Sequence, residues 1–236
     1  MARLRRLVAE VARLRPDVED PEDAIASGIV LVDGVPVRNP NTMVAPGTSV
    51  VVSPPRSLRG VEKLGPALDG FGVAVDGRVG LDAGASAGGF TRALLDRGAR
   101  RVYAVEVGHG QLVGSLRQDE RVVSLERTNV GQLDRALVPD AIDVVVLDLG
   151  FLALAEGVPQ LNAVEIAPDA DLVALVKPMF ELRRADPPED DASLDLAFAR
   201  AAEGIEGAGW SVAGRMPSPI RGGRGAVELL LHARRA

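Results

Sequence analysis

Apolar and polar residues recur along the first part of the chain at spacings that predict several short elements. Apolar residues at helical spacing predict an amphipathic helix over 1–15, which Pro16 ends. Asp20 before Pro21 is typical of a helix start. Asp33-Gly34 between two apolar runs predicts a hairpin, and a further strand is predicted over 48–52. Residues 1–53 therefore form a small α+β module in our prediction.

Beyond residue 60 the pattern changes to apolar strands that alternate with helices. Strands are predicted over 78–82, 101–106, 121–125, 142–148, 171–176, 210–216 and 227–233. Helices are predicted over 61–71, 90–97, 111–118, 130–137, 155–163 and 192–207. This alternation is typical of a parallel sheet covered on both faces. The fold class predicted for residues 61–236 is therefore α/β and Rossmann-like, with a Pro-rich linker at 54–60.

Composition excludes several classes of site. Hydrophobic residues make up 47% of the 236 residues, enough for a buried core, but aromatic residues make up only 3%. The chain has no cysteine and two histidines, so we expect no disulfide and no metal site, and a reducing cytoplasm is compatible. No apolar run is long enough to span a bilayer, so we expect no membrane partner.

Charge is unevenly distributed along the chain. The net charge is −6, which argues against a strongly electrostatic nucleic-acid binder. However, five arginines fall within the first 15 residues. They indicate either a solvated helix face or a small basic contact for phosphates.

The most informative stretch is LDAGASAGGF at 81–90, which reads as a strand end, a glycine turn and a helix start. Such turns hold nucleotide-like ligands at a helix N-terminus, although many α/β folds use one only to reverse the chain. Glu106 ends the next strand, 18 residues after Gly88, near the spacing expected for an acid that binds ribose hydroxyls. The glycines do not form G-x-G-x-x-G or a phosphate loop. S-adenosylmethionine therefore fits better than NAD or ATP.

Charged residues also follow other predicted strands. Asp82, Asp148 and Lys177 stand at strand carboxyl ends, which is where ligands bind in open α/β sheets. Lys63 and Lys177 are the only lysines in a chain that has 27 lysines and arginines together. A coding bias toward arginine would explain why lysine is scarce, but not where these two lysines lie.

Several words of the sequence resemble one family. They are LDAGASAGGF (81–90), LDRGA (95–99), VGHGQL (107–112), VSLERTN (123–129), LVKPMFE (175–181) and SPI (218–220). In this order they resemble the TlyA (hemolysin A type) ribosomal RNA 2′-O-methyltransferases, within the FtsJ-like methyltransferase superfamily. Residues 22–37 resemble the core of that family's N-terminal αL-motif RNA-binding domain, with fewer basic residues.

The resemblance implies a set of site residues. The Lys-Asp-Lys-Glu tetrad of FtsJ-like enzymes matches four catalytic candidates, Lys63, Asp148, Lys177 and Glu228. The cofactor-binding candidates are Asp82, Gly84, Ser86, Gly88, Gly89, Phe90, Glu106, Val107, Asn129 and Asp148. Methyl transfer needs an oxygen held in line with the sulfonium methyl group and a group that accepts its proton. Lys177 is the expected base, with Lys63 and Asp148 as its electrostatic partners and Glu228 as an orienting group.

Three functions follow as hypotheses. The first is S-adenosylmethionine-dependent 2′-O-methylation of RNA, with ribosomal RNA or ribosomal subunits as partner. The second is a small-molecule O-methyltransferase, which the acidic segment 186–191 favours because it replaces a glycine-rich family segment. The third is a catalytically silent RNA- and cofactor-binding homologue. Plain structural roles stay open for Lys63–Glu228 as an ion pair, Asp148 as a strand cap and His109 as a surface residue.

Overall fold

The computed structural model describes residues 4–18, 20–26, 28–52 and 58–235. The chain divides into two compact units, one of residues 1–57 and 113–118 and the other of residues 58–112 and 119–236. Most of the predicted linker lies outside the described residues. Its last two residues are helical, because a long helix begins at Arg59.

The first unit is built from short elements around one small core. Its elements are β1 (Arg5–Arg6), α1 (Leu7–Leu14), α2 (Pro21–Ala26), β2 (Val30–Val32), β3 (Val35–Pro36), β4 (Met43–Val44) and β5 (Val50–Val52). Its core consists of Leu7, Val11, Ala24, Ile25, Val30, Val44 and Val52.

Local sequence signals explain the boundaries of this unit. Asp20 Oδ1 accepts hydrogen bonds from the backbone N–H groups of Glu22 and Asp23, so it caps α2 as predicted. Asp33 and Gly34 both have positive φ, as a two-residue hairpin between β2 and β3 requires. The first helix is shorter than predicted, because residues 5–6 pair with β4 instead. Residues 1–3 of that prediction lie outside the described part of the chain.

The remaining elements continue in chain order. They are α3 (Arg59–Phe71), β6 (Val79–Ala83), α4 (Gly89–Leu95), β7 (Arg101–Glu106), α5 (Gly114–Arg117), β8 (Val122–Glu126), β9 (Ile142–Leu147), α6 (Leu154–Gly157), β10 (Ile166–Val176), α7 (Pro178–Glu181), α8 (Asp191–Gly207), β11 (Trp210–Pro217) and β12 (Leu229–Arg235). Short 3-10 turns lie at Val130–Gln132, Val158–Ala163 and Gly223–Gly225.

A seven-stranded sheet organises the second unit, in the order β11-β12-β10-β9-β6-β7-β8. Strands β6 to β10 pair in parallel, whereas β12 is antiparallel to both of its neighbours, β10 and β11. The predicted parallel sheet is therefore present over β6 to β10, and β12 departs from the prediction. Its apolar pattern carries no direction, and its short connection from β11 permits only a hairpin.

Two predicted helices are largely absent. The helix predicted over 111–118 is reduced to α5, and the one predicted over 130–137 to a 3-10 turn. In the first case, the Glu126 carboxylate accepts hydrogen bonds from the N–H groups of Gly110, Gln111 and Leu112. In the second, Asp134 Oδ1 accepts from the N–H groups of Ala136 and Leu137. Asp134 therefore takes backbone donors that a helix would have used, whereas Glu126 holds residues 110–112 as a loop ahead of the extended Val113, after which α5 begins.

Candidate active site

One edge of the sheet collects the charged residues. Strands β6, β7, β9 and β10 run in parallel, so their carboxyl ends share this edge. Because β12 runs in the opposite direction, its first residues lie at the same edge. Val176 pairs with Leu229, so the next position in that register places Lys177 opposite Glu228.

Lys63 and Glu228 form a buried ion pair across 165 residues of sequence. Lys63 Nζ donates to Glu228 Oε2 at 2.6 Å, and the side chains are only 10% and 6% exposed. Lys63 lies on α3, so this pair ties the helix to the start of β12. Removing either partner of such a buried ion pair would leave an uncompensated buried charge and destabilise the fold.

Lys177 is the second lysine at this edge, and it contacts the strand beside its own. Its Nζ lies 2.5 Å from Asp148 Oδ1 and donates a hydrogen bond to the Leu149 carbonyl oxygen at 3.0 Å. The contact with Asp148 is an ion pair whose angles are not those of a hydrogen bond. The Phe180 ring centre lies 6.0 Å from the same nitrogen. Both side chains of the pair are partly exposed, so a substrate can reach them.

The glycine turn follows β6, at the middle of the sheet. Gly84 has φ 88°, and a Cβ atom there would lie 2.5 Å from the Asp148 carbonyl oxygen. A Cβ atom on Gly89 would lie 2.7 Å from the Cα atom of Gly60, which brings α3 and α4 close together. Gly88, with φ 97°, caps α4 in the left-handed region. Substitutions at these glycines would displace backbone, which is costly.

Asp82 lies under this turn and is fully buried. Thr91 Oγ1 donates to its Oδ2 at 2.6 Å, whereas its Oδ1 has no hydrogen-bond partner among the described residues. Burial raises the pKa of Asp82 to about 7, against the hydrogen bonds from Thr91, and the negative charges of Asp148 and Glu106 add to the rise. A buried carboxyl group of this kind favours a cation beside it.

Glu106 connects the glycine turn to the loop after β7. Its Oε2 accepts from the Ser86 N–H at 2.9 Å, and its Oε1 accepts from the Gly108 N–H at 2.7 Å. Ser86 itself has φ 49°, in the left-handed region. Each carboxylate oxygen has a second lone pair, so Glu106 can still accept hydrogen bonds from a ligand.

The other predicted cofactor residues differ in their surroundings. Val107 is 64% exposed directly after Glu106. Asn129 Oδ1 caps a 3-10 turn by accepting from the Gly131 N–H. Phe90 is buried, and its ring lies against Gly60 on α3. His109 is exposed and lies 3.4 Å from the Glu126 carboxylate.

Two cavities lie along α7, and the first includes Phe180, whose ring centre lies 6.0 Å from Lys177 Nζ. The first, of about 230 Å³, is lined by Phe151, Glu156, Met179, Phe180 and Arg183 among others. Phe151 is 94% exposed, and its ring centre lies 6.2 Å from that of Phe180. The second cavity, of about 380 Å³, extends from Glu181 to α8.

Sequence reasoning missed several of these groups. Thr91 gave no signal, because a single polar residue in a helix is unremarkable until its partner Asp82 is known. The Leu149 carbonyl has no side-chain signature at all. Phe180 and Glu181 lie within the quoted word LVKPMFE, so the resemblance could have brought them in.

Comparison with known proteins identifies the family of this chain. The family model described as FtsJ-like methyltransferase matches residues 56–235. The 16S/23S rRNA (cytidine-2'-O)-methyltransferase TlyA of Mycobacterium tuberculosis is 43% identical over 99% of this chain and 91% of its own length. Hemolysin A of Brachyspira hyodysenteriae is 36% identical over 89% of this chain and 91% of its own.

Solved structures also match. A hemolysin-type protein from Lactococcus lactis superposes with a TM-score of 0.71 at 34% identity, covering 75% of this chain and 88% of its own. The resemblance and the Rossmann-like fold inferred from the sequence are confirmed, whereas the αL-motif assignment of the first module stays a prediction. On these matches, the chain belongs to the FtsJ-like methyltransferase family.

Proposed function

We propose that this chain transfers a methyl group from S-adenosylmethionine to a ribose 2′-hydroxyl of ribosomal RNA. Its family gives the reaction class and the methyl donor. The substrate is proposed from relatives named as rRNA methyltransferases, one of them for cytidine. The observation that carries the proposal is the pairing of the only two lysines with two carboxylates at one sheet edge.

The glycine turn fits an adenosine-containing cation. The unpaired Oδ1 of Asp82 lies buried beneath it, Gly84 leaves room where a side chain would touch backbone, and Glu106 keeps free lone pairs. When bound there, S-adenosylmethionine supplies an electrophilic methyl group on a positively charged sulfur. The residues that would hold it are Asp82, Gly84, Ser86, Glu106, Val107 and Asn129.

The lysine pairs supply the proton chemistry. A ribose hydroxyl becomes a good nucleophile when its proton is accepted, and Lys177 is the proposed acceptor because it is the more accessible of the two lysines. Asp148 and the Leu149 carbonyl hold its nitrogen in place. Glu228 lies directly before the facing strand β12, and we propose that its pair with Lys63 on α3 orients the ribose and sets the local charge.

The cavity beside Lys177 suits a nucleotide substrate. Phe151 and Phe180 offer apolar ring faces, and Arg183 and Arg184 offer donors for phosphate or base oxygens. A flipped nucleotide placed there would bring its ribose next to Lys177. This fits RNA better than a small hydrophobic substrate.

The first module, residues 1–53, is proposed to bind RNA. The proposed methyltransferase domain covers residues 61–236. Its small sheet, its hairpin and its exposed arginines support this role. Ribosomes as partner imply a cytoplasmic location, which is also a proposal. Within the described residues, no helix has the length and apolar composition needed to cross a membrane.

A second candidate, small-molecule O-methylation, draws on the acidic segment 186–191. In this segment Glu189 forms an ion pair with Arg221, which lies in the loop that leads to Glu228. This pairing neutralises an arginine that could otherwise bind an RNA phosphate. An intact ribosomal substrate should bind with strong salt dependence, and a small molecule should not.

The experiment is methyl transfer from labelled S-adenosylmethionine to four substrates: separated small and large ribosomal subunits, naked ribosomal RNA and free nucleosides. We expect label in one or both subunits, or in naked RNA, on a ribose 2′-oxygen identified by nuclease digestion and mass spectrometry. Label on free nucleosides alone would favour the second candidate. Cofactor binding without label on any substrate would favour a silent homologue.

A further inference from the structure

Glu181 is a buried carboxylate to which the mechanism above gives no role. Its Oε1 accepts a hydrogen bond from the Leu154 N–H at 2.8 Å. Its Oε2 has no hydrogen-bond partner among the described residues, although the residue is buried. An unsatisfied buried polar atom is costly, so its retention calls for an explanation.

The position of Glu181 links it to the proposed base. Helix α7 begins directly after Lys177, and the backbone N–H groups of Phe180 and Glu181 donate to the Lys177 carbonyl oxygen at 2.9 and 3.2 Å. Lys177 and Glu181 therefore belong to a single helical turn. A shift of one of them would move the other.

The loop 149–153 lies between the two groups that Lys177 and Glu181 bind. This loop provides the Leu149 carbonyl that accepts from Lys177 Nζ, and it carries the exposed Phe151. It ends where α6 begins, at Leu154, whose N–H group is the one that Glu181 binds. The same turn thus fastens the loop at both ends.

We propose that Glu181 is a positioning residue for methyl transfer, which fastens the loop 149–153 and thereby holds the Lys177 nitrogen between Leu149 and Asp148. The inference rests on the proposed function for its catalytic consequence, but the fastening itself does not. Without Glu181, the loop keeps its attachment to α7 through Lys177 and through the contact between the Phe151 and Phe180 rings. The base would then sample positions outside the pair with Asp148.

The charges around Glu181 indicate that the fastening is sensitive to pH. Burial raises the pKa of Glu181 to about 7, and the negative charge of Glu156 adds to this rise. The hydrogen bond from the Leu154 N–H and the positive charge of Arg200 act against it. The charged groups around the adjoining cavity are Glu156 from α6, Arg200 and Glu203 from α8, and Arg183 after α7. A neutral carboxyl group accepts hydrogen bonds more weakly than a carboxylate, so the loop is held more firmly above neutral pH.

The fastening is tested by amide hydrogen exchange on three variants of the full chain. Glu181→Ala removes the acceptor, Glu181→Gln keeps a neutral one, and Glu203→Gln is the control, an exposed acid on the same cavity. We expect at least tenfold faster exchange over 149–157 in E181A, with no change over 84–95. E181Q should be intermediate and E203Q unchanged. The proposal would be overturned if exchange in E181A were faster to the same extent throughout the chain, or if exchange over 149–157 were no faster than in wild type.

The catalytic consequence is tested by the single-turnover transfer rate and by the dissociation constant of S-adenosylmethionine. We expect E181A to transfer about 10 to 100 times more slowly with a cofactor dissociation constant within twofold of wild type, and E181Q to recover most of the rate. An unchanged rate in E181A, or a parallel loss of cofactor binding, would contradict the positioning role. Failure of the wild type to methylate RNA would contradict the proposed function instead, while the exchange result would still stand.

Discussion

At the scale of single residues, the Lys63–Glu228 pair is both a structural tie and a proposed catalytic element. Removing one partner leaves a buried charge without compensation, so we expect Lys63→Ala to lower the free energy of unfolding by about 3–5 kcal/mol. The double variant Lys63→Met with Glu228→Leu should recover much of that loss, because it removes both charges.

Urea unfolding of the single and double variants measures this coupling. Arg215→Ala is the control, since Arg215 pairs with Asp195 at the surface and such pairs contribute only about 0–1 kcal/mol. Equal losses in the single and double variants would contradict a buried, coupled pair. Lys63→Ala and the double variant should both lose methyl transfer, whatever their stability.

Asp82 makes a second residue-scale prediction, which concerns pH. Its folded-state pKa is raised to about 7 from 3.8, so between these values the folded protein binds a proton that the unfolded chain has released. The stability of the cofactor-free protein should therefore fall as the pH rises from about 4 to 7, and then level off. Asp82→Asn should lose only about half of this slope, because the pKa of Glu181 is also raised to about 7 and contributes in the same direction.

The measurement is the urea midpoint at several pH values for wild type and for Asp82→Asn, with the exposed Asp169→Asn as control. Asp82→Asn should also bind S-adenosylmethionine more weakly than wild type above pH 7, because the variant lacks the carboxylate proposed to lie beside the sulfonium cation. A pH slope that is identical in D82N and wild type would show that Asp82 does not titrate in this range.

The residue scale also shows what a sequence can and cannot reveal of a site. Strand ends placed Asp82, Glu106, Asp148 and Lys177 at one edge, because parallel strands share their carboxyl ends. The partner of each lysine could not be derived in this way. Lys63 and Glu228 meet only because β12 is inserted beside β10, and that is a property of the folded sheet.

At the scale of elements, the contact between α3 and α4 depends on paired glycines. A Cβ atom on Gly60 would lie 2.9 Å from the Cα atom of Gly89, and backbone cannot yield as a side chain can. We expect Gly60→Ala to destabilise the protein by about 2–4 kcal/mol, as overpacking does. Cofactor affinity should fall as well, because α4 follows the glycine turn.

Gly70→Ala is the matched control on the same helix. A Cβ atom there meets only the flexible Met216 side chain, at 3.6 Å. Because glycine is a poor helix former, this change should be neutral or stabilise by about 0.5–1 kcal/mol. Thermal unfolding of the two variants decides the matter, and similar melting temperatures would contradict the role given to the glycine pair.

Element prediction succeeded where long apolar periods were present and failed where side chains capture backbone donors. The strands of the sheet core and α8 follow from apolar spacing alone. The helix predicted over 111–118 begins only at Gly114, because Glu126, on the later strand β8, holds residues 110–112 in a loop and Val113 is extended. No local pattern encodes such a contact.

At the scale of the whole molecule, RNA binding must be reconciled with a net charge of −6. Much of the basic charge near the N-terminus is already paired, since Arg5 and Arg13 share Glu10, and Arg15 pairs with Asp17. We therefore expect only about two to four phosphate contacts, and a slope of log affinity against log salt of about −2 to −3.

Glu10→Gln should release two guanidinium groups and strengthen RNA binding several-fold, with a steeper salt dependence. Glu22→Gln removes the same charge from α2, where the structure gives that side chain no arginine partner among the described residues, and serves as control. Binding to ribosomal RNA over a range of salt concentrations measures both. Equal effects of the two variants would exclude a specific role for this arginine cluster.

The proposed mechanism requires that Lys177 accept the proton of a ribose hydroxyl during methyl transfer. Its most direct test is the single-turnover rate of wild type, Lys177→Ala and Lys177→Arg on the methylated ribosomal substrate, with cofactor binding measured in parallel. Arginine keeps the positive charge next to Asp148 but cannot accept a proton. We expect both variants to bind cofactor and to lose about 10²–10⁴-fold in rate. A Lys177→Arg enzyme as fast as the wild type would contradict this mechanism.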